Sequence, residues 1–200
     1  MVVDHINKGL RTVPVWLVYL GLAVPAPWYL YQGLTGGLGV EPIKALEHAL
    51  GLFALQLVIA GLSVTPLRKQ FGVNLMKFRR AIGVMTFVYV LLHLLVWLIL
   101  DVQFFGQIWA DIVKRPYITV GMVAFVLMVP LAITSNNWSV RRFGQGWRKL
   151  HRLTYGAAFL GGLHYVMLAK GFQIEPLIYL GIIVLLLGMR VRVATRLRLA

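Results

Sequence analysis

Six apolar runs divide this chain, each close to the length that crosses a bilayer. They cover residues 13–31, 43–65, 81–100, 117–135, 151–169 and 176–190. A helix rises about 1.5 Å per residue through a hydrocarbon interior about 30 Å thick, so about 20 residues make one crossing. The last run is short and is expected to extend a turn into its basic tail. Only 13% of the residues are charged, where soluble domains run near 25%. The expected fold is all-α: a six-transmembrane-helix bundle, one domain over residues 1–200, embedded in the lipid bilayer. The run 13–31 reads as a first span rather than a cleaved leader.

Charge orients the bundle. Sixteen basic residues fall on one side: Lys8 and Arg11, then Arg68, Lys69, Lys77, Arg79 and Arg80, then Arg141, Arg142, Arg148, Lys149 and Arg152, then Arg190, Arg192, Arg196 and Arg198. The other side carries four: Lys44, Lys114, Arg115 and Lys170. The positive-inside rule therefore puts both termini in the cytoplasm. The same rule accounts for the net charge of +14, and with no groove-binding or single-strand module visible, nucleic acid is not an expected partner. The acids Glu41, Glu47, Asp101, Asp111 and Glu175 gather at the outer side. The stretch 101–116, with Phe104, Phe105 and Trp109, reads as an interfacial helix. Pro66, Pro116 and Pro176 are expected at span ends, and Pro25, Pro27 and Pro130 within spans.

There is no cysteine, which excludes disulfides, thiolate metal sites and covalent c-type haem attachment. Any metal or cofactor must be held by histidine, carboxylate or packing. His5 lies in the polar N-terminus. The other four histidines sit in or at the ends of spans, where ionisable groups face the interior and mark function. His93, seven residues before Leu100, and His164, six before Lys170, fall at similar depth in the outer half of the third and fifth spans. Two neutral imidazoles from facing helices at one depth are what a six-coordinate b-type haem needs.

His151 is thirteen residues before His164, hence about 20 Å deeper on a straight helix, and about 140° around its axis. That depth suits a second haem. At that depth span three offers Arg79 and Arg80, poor iron ligands but good partners for propionates. His48 opens span two in the outer half, where replacing one of the outer pair, touching a propionate, or serving a quinone or proton path all stay open. Zinc spacing, deep carboxylates for proton-coupled transport, and Gly-rich nucleotide loops are missing.

Several stretches in order carry a resemblance: GGLGVEPIKALEHALG at 36–51, TPLRK at 65–69, RRAIGVMTFVYVLLHL at 79–94, KRPYITVGM at 114–122, LAITS at 131–135, GWRKLHRLTY at 146–155, LHY at 163–165 and EPLIYLGIIVLLLGMR at 175–190. Together they resemble the MsrQ (formerly YedZ) family, the haem-binding membrane subunits of bacterial methionine sulfoxide reductase systems. More distantly the chain is similar to ferric reductase and NADPH oxidase transmembrane domains.

The resemblance implies a multi-pass protein of the bacterial inner membrane acting as an electron conduit. Electrons would come from the cytoplasmic side, from a flavin reductase, or from quinol. They would pass to MsrP, a periplasmic molybdopterin enzyme that reduces protein methionine sulfoxide and holds the catalytic centre. It implies haem b at one or two sites, with FMN and quinone as further cofactors. His93, His151 and His164 match the family's haem histidines, and the relatives' second histidine on span three is replaced here by the Arg79/Arg80 region. Two other readings remain: a ferric reductase-type oxidoreductase, and a non-redox docking or quinone-binding subunit. Asp101, Asp111 and Glu41 are candidates for the outer docking surface, and Tyr89, Tyr155, Tyr165, Trp97 and Phe87 for packing near a porphyrin.

Overall fold

The computed structural model describes residues 2–169 and 171–196, with side chains through residue 190. Lys170, Arg198 and the side chains of Arg192 and Arg196, counted above for orientation, lie outside the described residues. All regular structure among the described residues is helical.

A short helix precedes the first apolar run. In α1 (Val2–Thr12), Val3, Asn7 and Leu10 are half-buried at helical spacing, while Asp4, His5, Lys8 and Arg11 stay outside. It lies at 84° to the helical run Val15–Leu34 that follows. Its own hydrogen bonds hold it there. Asn7 donates to the Gly72 carbonyl at 3.0 Å and accepts from the Asn74 N–H at 2.9 Å. Lys77 Nζ donates to the Arg11 and Leu10 carbonyls at 2.7 and 3.3 Å, satisfying two of the helix's orphan C-terminal acceptors.

The first apolar run carries α2 (Val15–Ala23) and α3 (Pro25–Leu34), which meet at Val24. Pro25 and Pro27 remove two N–H donors. Between them, the Ala26 N–H donates not to Leu22 but to the Tyr89 hydroxyl at 3.0 Å, and that hydroxyl donates to the Leu22 carbonyl at 2.7 Å. A side chain inserted in the i→i−4 ladder is a recognised cause of helix breaks. Tyr89 is wholly buried, edge-on to Phe53 with ring centres 4.6 Å apart. Its hydroxyl fastens the first apolar run to the third.

The second span, α4 (Pro42–Phe71), is 30 residues long and stops at Gly72, whose φ of 72° suits a residue without Cβ. Pro66 lies inside this helix rather than at its end. Proline cannot donate to the carbonyl four residues back, so the Leu62 carbonyl loses its helical partner. Arg190 Nη2 replaces it at 2.8 Å, a side chain from another helix re-satisfying a proline gap within a bundle.

A 3₁₀ turn, Met76–Phe78, leads into α5 (Arg79–Val96), which runs on as a π-helical turn, Trp97–Val102. Then come α6 (Phe105–Lys114) and α7 (Pro116–Ile133). Two short helices follow, α8 (Asn137–Phe143), capped by Asn136 accepting from the Ser139 N–H at 2.8 Å, and α9 (Gln145–Leu150). The chain closes with α10 (Leu153–Leu168) and α11 (Ile174–Arg196). As expected, α6 exposes Phe105 and Trp109.

Among the described residues, three helices are long and apolar enough to cross a membrane: α4, α5 with its flanking 3₁₀ and π-helical turns (Met76–Val102), and α7. A fourth is counted if α1 and the run Val15–Leu34 form one bent span. Six crossings are thus not all met by length and composition: α10 has 16 residues.

Two close helix pairs make the frame: α5 packs chiefly on α4, and α10 chiefly on α7. α11 closes against α10 and α4. The α10–α11 approach depends on Gly162, where a Cβ would meet Ile183 Cδ1 at 3.0 Å. α5 and α10 are thus backed by α4 and α7, with one histidine-bearing face each.

Candidate functional site

His93 stands on α5 and His164 on α10, and both are set the same way. His93 Nδ1 is 2.9 Å from the Glu47 carbonyl of α4, and His164 Nδ1 is 2.7 Å from the Tyr117 carbonyl of α7. Each carbonyl stands one turn before a glycine on its own helix, Gly51 and Gly121. A Cβ on Gly51 would lie 3.0 Å from His93 Nδ1, and one on Gly121 would lie 2.8 Å from His164 Nδ1. Each imidazole therefore nests where its neighbouring helix has no side chain, with a backbone oxygen beside it.

This arrangement decides the tautomer. A carbonyl only accepts, so Nδ1 carries the hydrogen in both rings and Nε2 keeps its lone pair. A ligating histidine characteristically donates its other ring N–H to a carbonyl or carboxylate, which orients the ring and raises its basicity. The ring centres are 6.3 Å apart at an interplanar angle of 79°. Two imidazoles sharing one metal, with bonds of about 2.0–2.1 Å and ~1 Å from nitrogen to ring centre, would have their centres about 6 Å apart. The pair fits one metal held between two imidazoles. Beside it, Tyr117 is tied down by Arg115 Nη1 donating to its hydroxyl at 3.3 Å, and Arg115 pairs with Asp111 at 3.2 Å.

Residues 47–162 match the family described as ferric reductase like transmembrane component. The matched segment begins at Glu47, whose carbonyl orients His93. The chain is 46% identical over 184 residues to a protein of Agrobacterium fabrum, covering 92% of this chain and 86% of that one. It is 46% identical over 174 residues to one of Brucella anthropi, covering 86% and 79%. With one of Rhizobium meliloti it shares 45% over 184 residues, covering 92% and 85%. All three are named protein-methionine-sulfoxide reductase heme-binding subunit MsrQ.

The chain belongs to the MsrQ family.

In this MsrQ-family chain the remaining candidates are distributed unevenly. His48 is exposed on α4, one position past Glu47; α4 contributes a carbonyl and a glycine to the pair, not its imidazole. His151 sits in the turn between α9 and α10, not on a straight α10. Its ring stacks on Trp147 at 3.8 Å and its Nε2 is 3.1 Å from the Thr134 hydroxyl. Trp147 Nε1 donates to the Thr134 carbonyl at 2.8 Å. The His151 Nε2 would have to leave Thr134 to bind a metal.

Arg79 and Arg80 are separated by the helix itself. Arg80 is exposed and donates to Asn137 Oδ1 at 2.7 Å. Arg79 is half-buried and turned inward, toward Tyr155 and Arg190. Among the outer acids, Asp111 is buried against Arg115 and is not a docking residue. Glu41 is exposed and paired with Lys44 at 2.8 Å, and Asp101 is exposed.

Sequence reasoning missed Gly51, Gly121, Thr134, Trp147 and Arg190 as site residues. The glycines lie in the stretches 36–51 and 114–122, and small residues in apolar spans mark close helix approach. Which side chain uses the space is a tertiary fact.

Proposed function

We propose that this chain is a haem b-carrying membrane subunit that passes electrons to a periplasmic MsrP-like molybdopterin reductase of protein methionine sulfoxide. The donor is a cytoplasmic flavin reductase or quinol, and the catalytic centre belongs to the partner. The relatives' names support haem and the methionine sulfoxide reductase system. The observation that carries the reading is the matched pair of His93 and His164, each with Nδ1 on a neighbouring carbonyl and the rings 6.3 Å apart.

Bound haem would supply one-electron transfer. His93 and His164 would hold its iron through Nε2. The Glu47 and Tyr117 carbonyls keep each ring in that tautomer and make it a stronger donor. The apolar helices around the pair exclude water, which fixes the local dielectric and so the potential. In this reading α2–α3, α4, α5, α7, α10 and α11 are six spans of an inner-membrane protein with both termini cytoplasmic. His151 marks the inner half, where a second haem would require release of Thr134.

The test is a reduced-minus-oxidised visible spectrum with pyridine haemochrome quantitation on purified protein and on His93→Ala, His164→Ala and His151→Ala. Haem in the wild type, lost with His93 or His164, is expected. A folded wild type that takes up no haemin would sink the conduit and leave a docking subunit.

A further inference from the structure

At the end of the bundle opposite the histidine pair, two guanidinium groups converge where four helices meet. Arg190 of α11 donates through Nη1 to the Tyr155 hydroxyl of α10 at 3.1 Å and through Nη2 to the Leu62 carbonyl of α4 at 2.8 Å. Its guanidinium carbon lies 5.2 Å from the Tyr155 ring centre. Arg79 of α5 is half-buried and turned toward Tyr155 and Arg190. Arg190 Nε is buried with no hydrogen-bond partner.

Half of this is accounted for by the fold. Pro66 orphans the Leu62 carbonyl, and Arg190 Nη2 fills that gap. The rest is not. A neutral donor such as an amide would do the same for one carbonyl without placing a charge inside a bundle, where cations are costly and ordinarily paired. Here a second cation faces the first, and among the described residues no ion pair joins either to a carboxylate. The Tyr155 hydroxyl already accepts from Arg190. Two converging guanidiniums with a buried unused N–H form the complement of a planar or tetrahedral oxyanion, which arginine binds with several parallel hydrogen bonds.

We propose that Arg79, Tyr155 and Arg190 form an anion-binding site that takes the carboxylate or phosphate of a cofactor at the basic end of the bundle. The ligand class rests on the function proposed above: a haem propionate or a flavin phosphate supplies the same charge-assisted chemistry. Arg190, rather than Arg80, is the second arm of the site.

The experiment separates the structural use of Arg190 from its use as an anion clamp. Pro66→Ala returns a helical N–H to the Leu62 carbonyl, so Arg190 is no longer needed there. Full-length protein is purified as wild type, Pro66→Ala, and Pro66→Ala with Arg190→Gln or Arg190→Lys. Each is titrated with haemin, read by absorption, and with FMN, read by fluorescence quenching. Arg190→Gln in the Pro66→Ala background is expected to weaken one of the two ligands roughly ten- to hundredfold, the scale of a lost charge-assisted hydrogen bond. Arg190→Lys is expected to restore part of it, and the haem signal that depends on His93 and His164 is expected to persist. A haemin-only effect identifies a propionate as the anion; an FMN-only effect identifies the flavin phosphate. Unchanged affinity for both ligands in a monodisperse Arg190→Gln protein would overturn the site. A wild type that binds FMN but no haem would instead overturn the haem reading while leaving the FMN arm to test the clamp.

Discussion

At the scale of single residues, the site is governed by what two positions lack. Gly51 and Gly121 leave room for the His93 and His164 rings. An added methyl would press 3.0 Å and 2.8 Å from the respective Nδ1 atoms, closer than carbon and nitrogen tolerate without displacement. The rings would have to move off the Glu47 and Tyr117 carbonyls, losing orientation together with the fixed tautomer. Gly51→Ala and Gly121→Ala are therefore expected to lower haem per chain, Gly121→Ala the more, with the protein still folded. Pyridine haemochrome and size-exclusion profiles measure both. Wild-type haem content in both variants would mean that the nests do not position the ligands. Disturbed metal ligands' partners typically lower affinity about 10- to 100-fold, so a loss of that order is the expected size.

At the scale of elements, proline gaps are closed by side chains from other helices. Tyr89 of α5 bridges the Leu22 carbonyl and Ala26 N–H of the first span, and Arg190 of α11 takes the Leu62 carbonyl of α4. A helix with an interrupted ladder cannot leave the freed groups in lipid. Tyr89→Phe keeps the ring and removes both hydrogen bonds. It is expected to destabilise the protein by about 1–3 kcal/mol, the cost of leaving buried polar groups unmet, visible as a lower midpoint of thermal unfolding in detergent. An unchanged midpoint would mean that Ala26 and Leu22 rejoin directly when the hydroxyl is gone. α1 is a further element-scale feature: Asn7 and Lys77 hold it across the loop joining α4 and α5. Lys77→Met is expected to free the C-terminus of α1 and speed amide exchange over residues 8–12, with the haem spectrum unaltered.

At the scale of the whole molecule, large apolar side chains face outward on the spans. Trp16, Leu17 and Leu20 of α2, Val123 and Val126 of α7, and Leu185 of α11 are all exposed. Water would not tolerate so much contiguous apolar surface; lipid does. The absence of cysteine makes the topology directly testable with single introduced cysteines. Lys8→Cys and Arg141→Cys are expected to resist a membrane-impermeant maleimide in intact cells and to react after lysis. Gln103→Cys is expected to react in intact cells. Labelling of Lys8→Cys from outside would invert the bundle, or, if Gln103→Cys were also labelled, change the number of crossings before it.

The sequence by itself determined the helical membrane class, the clustering of its basic residues into a few loops and ends, and the pairing of His93 with His164. Each follows from a one-dimensional regularity: run length against bilayer thickness, charge against side, and rise per residue along a helix. A helix within the stretch 101–116 was also legible, and the structure places it at Phe105–Lys114. Only the tertiary structure decided what meets what. It put Pro66 inside α4 and made two helices of the first apolar run, meeting at Val24. It turned Arg79 inward and Arg80 outward, buried Asp111, and left His48 outside the pair. It also set His151 against Thr134 and Trp147 rather than opposite a partner. These are contacts between residues dozens of positions apart, and they turn on rotation about a helix axis and on the space a missing side chain leaves. Spacing along one helix cannot carry that information, because the angle at which two helices face each other is fixed by every other contact in the bundle.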